Sequence, residues 1–180
     1  MENILYKSEN IIPWDTQSAF KMNSYRAHKE EHMVFCYMKS YVHKNDLVLC
    51  SYCFTEKPAD GANMHLYLGL NPENPDNVIV INYGFDGIES LVTDKPADNA
   101  VTYRSFKADD EQGFYWCGEI KIDGGFIAEH YGTELMEKSI LTMNLTQTFP
   151  DGDMAVLFGD AECDGYDRTA EMKVFVVLNY

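Results

Sequence analysis

The sequence predicts an all-β fold, an antiparallel two-sheet β-sandwich of jelly-roll type, and three observations predict it. From Leu47 onward nearly every regular stretch is a short run rich in β-branched and aromatic residues. Apolar and polar side chains alternate with period two inside several of these runs. Turn signals built on Gly, Asn, Asp and Pro recur at short intervals between them.

The first 32 residues, with charges at Arg26, Lys29, Glu30 and Glu31, show no sustained period and read as an irregular incoming strand or loop. Residues Met33 to Tyr41 are apolar and aromatic, Val42 to Asp46 offer a turn, and Leu47 to Glu56 run back as the second, largely buried strand of a hairpin. Next, Met64, Leu66, Leu68 and Leu70 alternate with His65, Tyr67 and Gly69, the mark of a strand with one core face and one polar-aromatic face. It stops at the loop Asn71-Pro72-Glu73-Asn74-Pro75-Asp76. Val78 to Tyr83 is apolar on both faces, as a central strand is, and Gly84-Phe85-Asp86-Gly87 turns it toward Ile88 to Val92.

Two further strands follow, Val101 to Lys107 and Phe114 to Ile122. In the latter Phe114, Trp116, Gly118, Ile120 and Ile122 share one face, and Tyr115, Cys117, Glu119 and Lys121 the other. Asp123-Gly124-Gly125 reads as a tight turn, and helix is expected for at most a turn or two around Thr133 to Lys138. Ile140 to Phe149, Met154 to Phe158 and Met172 to Leu178 supply the last strands. At 180 residues the chain is expected to form one β-sandwich domain over residues 1–180.

With 14 basic and 29 acidic residues the net charge is -15, a potential that repels nucleic acid and anionic lipid and favours neutral or cationic partners. No nucleic-acid or membrane partner is expected. Two Trp, twelve Tyr and ten Phe provide for a packed core. The five cysteines, Cys36, Cys50, Cys53, Cys117 and Cys163, are odd in number in a chain that needs no staples, which points to a reducing compartment. Met1 to Trp14 has no apolar run of signal-peptide length, and no stretch reaches the ~20 apolar residues of a membrane helix. The expected location is the cytoplasm, unless the chain is a module of a longer secreted protein.

The sharpest local motif is Asp160-Ala161-Glu162-Cys163-Asp164-Gly165, followed after five residues by Glu171. Calcium takes six to eight oxygens, and carboxylates at loop positions 1, 3 and 5, a Gly at 6 and a Glu at 12 supply them. The flanks read as strands, so an EF-hand is rejected and a calcium loop within a β-protein is expected, with Asp160, Glu162, Asp164 and Glu171 as ligands. Asp151 and Asp153 are candidates for further oxygens. The plainer alternative is a solvated acidic loop.

A second constellation is aromatic. One face carrying His65, Tyr67, Tyr115 and Glu119, joined by Tyr103 or Arg104, suits a neutral polar ligand, since rings stack on apolar C–H faces while carboxylate and amide groups bond hydroxyls. Sugars fit that description. Trp14 follows Pro13 in an aperiodic region and is free to lie at a surface, whereas Trp116 is expected in the core. The alternative is that the tyrosines are ordinary half-buried packing.

No Gly-x-Ser-x-Gly elbow, His-Glu-x-x-His motif or phosphate-binding glycine loop occurs. His28 and His32 have metal spacing only on a helix. A glycosidase needs two carboxylates across a cleft, and Glu56, Glu89, Glu119 and Glu129 are candidates among which the sequence does not choose.

Leu66-Tyr67-Leu68-Gly69-Leu70-Asn71-Pro72, Val80-Ile81-Asn82-Tyr83-Gly84 with Asp86-Gly87, Tyr115 to Ile122, and Asn144-Leu145-Thr146-Gln147 together resemble the order of elements in family-nine-like carbohydrate-binding modules. The resemblance spans about residues 47–147. It implies a β-sandwich that binds saccharides between aromatic side chains, with structural calcium. Asn63, His65 and Tyr67 depart from the acidic pattern of the family, and neither Trp14 nor Trp116 matches its sugar-clamping aromatics. The resulting expectation is a non-catalytic domain that binds a neutral saccharide on an aromatic-lined face. A small β-sandwich glycoside hydrolase is the alternative, and a protein-interaction module without sugar binding is the third reading.

Overall fold

The structure, a computed structural model, describes residues 3–30, 35–55, 61–70, 74, 77–94, 97–111, 113–132 and 134–180, with the side chains of 130 and 131 excepted. His32, Met33, Glu56, Asn71 to Glu73, Pro75, Asp76 and Thr133 of the sequence reading lie outside the described residues. The chain runs β1 (Asn3–Ser8), β2 (Phe20–Lys21), β3 (Ser24–Arg26), β4 (Cys36–His43), β5 (Asp46–Cys53), β6 (Asn63–Gly69), β7 (Val78–Gly84), β8 (Gly87–Val92), β9 (Val101–Asp110) and β10 (Gly113–Ile122). After them come α1 (Gly124–Tyr131), β11 (Ile140–Thr148), β12 (Met154–Val156) and β13 (Lys173–Asn179). The fold is thus nearly all β, as the periodicity predicts. No helix of the described residues is long and apolar enough to cross a membrane.

The strands form one hydrogen-bonded path, β8-β7-β6-β11-β13-β1-β4-β5-β10-β9, rather than two separate sheets. The join is β1, which pairs parallel with β13 (Leu5 opposite Val177) and parallel with β4 (Lys7 opposite Val42). This corrects two expectations: the sheet is not wholly antiparallel, and the N-terminal segment read as irregular holds a central strand. Leu5 alone on β1 is fully buried, so no apolar period advertised the strand.

The path bends until its two ends meet. Tyr103 on β9 donates its hydroxyl to the Gly84 carbonyl at the end of β7, at 2.6 Å. Tyr83 and Tyr103 pack at 5.7 Å between ring centroids. Their approach uses Gly118, where a Cβ would stand 2.9 Å from Tyr83 and 3.0 Å from the Tyr103 hydroxyl.

Between the two halves lies the core. Met64, Leu66 and Leu68 of β6, Ile79 and Ile81 of β7, and Leu47 and Leu49 of β5 point into it with Trp116, Ile120 and Ile122 of β10. Each such side chain contributes roughly 1.5–3 kcal/mol of transfer free energy. β7 is not the doubly buried central strand its composition predicts: Ile79, Ile81 and Tyr83 are buried while Val80 and Asn82 are only half-buried, because it lies next to the edge strand β8.

Helix α1 replaces the tight turn expected at Asp123-Gly124-Gly125. Asp123 Oδ1 accepts the Phe126 amide at 3.0 Å as an N-cap, and Gly132 closes the helix with φ +74°. Asp serves turns and N-caps alike, so Gly-Gly tipped the local reading the wrong way. Ile127 and Phe126 bury against the core, while residues 134–138, where a helical turn was expected, are irregular.

Candidate functional site

The residues expected to share one face occupy three places. Tyr103 points inward to the seam just described. Tyr115, Glu119 and Arg104 lie on the outer face of β4-β5-β10-β9, under Trp14. His65 and Tyr67 lie on the outer face of β8-β7-β6-β11, under the acidic loop. β6 and β10 carry the same local alternation, but the bend turns their outer faces to opposite sides of the molecule.

On the first face the functional groups are engaged with one another. The Trp14 indole donates to Glu119 Oε2 at 3.1 Å. Arg104 donates to both Glu119 oxygens, each at 2.8 Å. Trp14 also packs on Tyr41 at 5.3 Å and covers Cys50, Tyr52 and Cys117. Beyond it, Tyr37 stacks on Tyr52 at 4.7 Å, and Phe54 touches Tyr37 and Tyr115 at 5.6 and 5.5 Å. Burial raises the Tyr37 hydroxyl to about 12. Rings that face each other and a carboxylate with three donors make this face largely a packing surface. A shallow cavity of about 220 Å³ lies beside Arg104 and Glu119.

The second face has a polar floor. Asn82 donates Nδ2 to Ser90 Oγ at 2.7 Å, which turns its Oδ1 toward His65 Nδ1 at 2.5 Å. Nδ1 therefore carries the proton, and Nε2 accepts from the Thr148 hydroxyl at 2.5 Å. Burial pushes His65 below its ordinary range, against the opposing pull of the Asn82 bond, so the ring is neutral at pH 7. Cross-strand from Tyr67 stands Asn144, wholly buried on β11. Asn144 Nδ2 donates to the Tyr166 hydroxyl at 2.9 Å and the Arg168 carbonyl at 3.1 Å, while its Oδ1 accepts the Phe158 amide at 3.2 Å. Tyr166 in turn donates to the Phe158 carbonyl at 2.7 Å. These bonds fold the acidic loop back over the strand.

The fold-back brings Arg168 beside Tyr67, His65 and Tyr166, close enough to act electrostatically on each. Arg168 Nε is buried and has no hydrogen-bond partner. The Tyr67 hydroxyl, raised by burial, faces Thr146, whose Oγ1 makes no hydrogen bond of good geometry. An orphaned guanidinium N–H near a half-buried ring is the kind of group a polyhydroxyl ligand satisfies. Arg168 and Tyr166 were missed by the sequence reading because they sit inside the stretch assigned to calcium.

The four predicted calcium ligands do not converge. Asp160 Oδ1 accepts the Glu162 amide at 3.0 Å and the Ser24 hydroxyl at 3.4 Å, and Glu171 pairs with Lys173 at 3.3 Å. Glu162 and Asp164 are exposed. Among the described residues no three His, Cys, Asp or Glu side chains are grouped to hold a metal. Asp153 is fully buried and bonded to His28, and Asp151 pairs with Lys29 at 3.0 Å. As arranged, the carboxylates do not fit a calcium ion. The carboxylates considered for glycoside cleavage sit on different elements, Glu89 on β8, Glu119 on β10 and Glu129 on α1.

The bent, nearly all-β sheet has counterparts among solved structures. A carbohydrate-binding module of family 9 from Caldicellulosiruptor kristjanssonii in complex with cellotriose has a TM-score of 0.71 at 8% identity, covering 100% of this chain and 95% of that chain. The family 9 module from the same organism in complex with glucose gives 0.70 at 9% identity, with 100% and 97% covered. A protein from Bacteroides uniformis, named as carbohydrate-binding, gives 0.66 at 8% identity and 98% of each chain. The chain therefore has the fold of the family 9 modules, as the resemblance implied. No protein-family model matches the sequence, and no curated protein matches it.

Proposed function

We propose that the protein binds a neutral saccharide, without cleaving it, on the outer face of β6, β7 and β11, where Arg168 holds an unsatisfied N–H near the half-buried Tyr67 ring and the Ser90–Asn82–His65–Thr148 chain forms the floor. The observation that carries this reading is the buried, partnerless Arg168 Nε on a guanidinium within electrostatic range of Tyr67. A sugar ring laid on Tyr67 buries its C–H face, and one of its hydroxyls takes the free guanidinium hydrogen. His65 does not contact the ligand through its nitrogens, since both are used; it holds the floor. The shared fold with modules solved with cellotriose and glucose supports a saccharide over other polar ligands.

Titration calorimetry with glucose, cello-oligosaccharides and a wider panel of neutral sugars tests the proposal. Tyr67→Ala and Arg168→Ala are each expected to weaken binding about tenfold or more, roughly 1.4 kcal/mol, with the fold intact by circular dichroism. Undiminished affinity in both variants would move the site elsewhere, and silence across the panel would reject sugar binding. A calcium ion at Asp160, Glu162, Asp164 and Glu171 requires Asp160 and Glu171 to leave their present partners and the exposed Glu162 and Asp164 to turn toward them. A calcium-dependent rise in melting temperature, lost in the Asp160→Ala, Asp164→Ala double variant, is the result that supports it.

A further inference from the structure

Cys36 and Cys53 stand directly opposite each other at the open end of the β4–β5 hairpin. Their sulfurs are 3.3 Å apart, and both side chains are fully buried on the core face. The next pair outward, Phe35 and Phe54, is joined by the Phe54 amide and Phe35 carbonyl at 3.0 Å, and the Cys36 carbonyl turns away from β5 to accept the Met22 amide at 2.9 Å. Cys36 and Cys53 therefore form a non-hydrogen-bonded pair, the antiparallel site where opposing Cα atoms come closest, about 4.5 Å. That separation lies within the range of about 4.4–6.8 Å that a disulfide spans. Cys50 and Cys117, on the opposite face, are offset instead: Cys117 faces Tyr52, and Cys50 faces Glu119.

We infer that Cys36 and Cys53 close to a cross-strand disulfide when the chain folds in the presence of a small-molecule disulfide such as oxidised glutathione. The two thiols lose two protons and two electrons as their S–S bond forms. The glutathione disulfide takes up both and leaves as two thiols, by way of a mixed disulfide on one cysteine. Burial holds the Cys53 thiol well above its usual range, so the folded protein reacts slowly and the bond forms while the hairpin is still open. The closed loop ties the end of β4 to β5 beneath Phe35, Tyr37 and Phe54, and restricts the unfolded chain.

The test refolds the intact chain from denaturant in two glutathione buffers, one oxidising and one reducing, then alkylates free thiols and maps peptides by mass spectrometry. The expected result in the oxidising buffer is one intramolecular link, Cys36 to Cys53, with Cys50, Cys117 and Cys163 alkylated and a melting temperature several degrees above that of the reduced protein. A Cys36→Ser, Cys53→Ala double variant is expected to melt at the same temperature from both buffers. Five alkylated thiols, or a link between Cys50 and Cys117, would overturn the inference on the wild-type map alone, whether or not the variant folds.

Discussion

Asn144 on β11 holds Tyr166, 22 residues further along, through a 2.9 Å hydrogen bond from its buried amide to the phenol oxygen. The same amide takes the Arg168 carbonyl, so one strand residue positions the loop that completes the candidate site. Replacing Asn144 by Ala strands the Phe158 amide and the Arg168 carbonyl, and is expected to cost about 1–3 kcal/mol. Urea denaturation measures that loss, and calorimetry at low temperature should show weakened saccharide binding although Asn144 does not reach the ligand. Tyr166→Phe keeps the ring and is expected to be milder in both.

Glu119 is expected to matter for stability and not for ligand. Glu119→Ala leaves the Trp14 indole N–H without its acceptor, at a cost of about 1–2 kcal/mol, and Trp14 emission should shift to the red as the ring loosens. Arg104→Ala removes an exposed partner and should cost under ~1 kcal/mol. Saccharide affinity is expected to be unchanged in both variants; a loss in either would place the ligand on this face instead.

Acidification should act through His65. Its folded pKa lies below the ordinary histidine value because burial disfavours the charged ring. Between the folded and unfolded values the unfolded chain binds more protons, so unfolding free energy rises with pH in that window and levels off above about 6.5. The contribution is thus present at neutral pH and is lost as pH falls through the folded value. In a His65→Gln variant the melting temperature is expected to depend less on pH below 6.5 than in the wild type.

Gly118→Ala tests the closure of the sheet. The added methyl would meet Tyr83 and Tyr103 at 2.9 and 3.0 Å, so the seam between β10 and β7 must part. A loss of about 1–3 kcal/mol is expected, measured by urea denaturation.

Much of the fold was legible because local alternation reports burial directly. The period of Met64, Leu66 and Leu68 against His65 and Tyr67 placed β6 correctly and named two residues of the candidate site. β1 was not legible: it buries one side chain, and it earns its place by pairing with β13 near the other end of the chain. Arg168 was hidden for a related reason, since the Asp160 to Glu171 spacing describes a ligand set only if the loop wraps an ion, whereas here it is drawn back onto Asn144.

The sequence by itself determined that the chain is built of strands, which side chains of most strands enter the core, and that Tyr67 and Tyr115 face away from it. Only the tertiary structure decided that these two rings lie on opposite sides of the molecule, that Glu119 is consumed by Trp14 and Arg104, and that Arg168 comes within electrostatic range of Tyr67. Alternation is a property of a few consecutive residues and survives in any β-fold. The company a side chain keeps depends on the parallel join at β1 and the bend that follows, which bring together residues far apart in the chain.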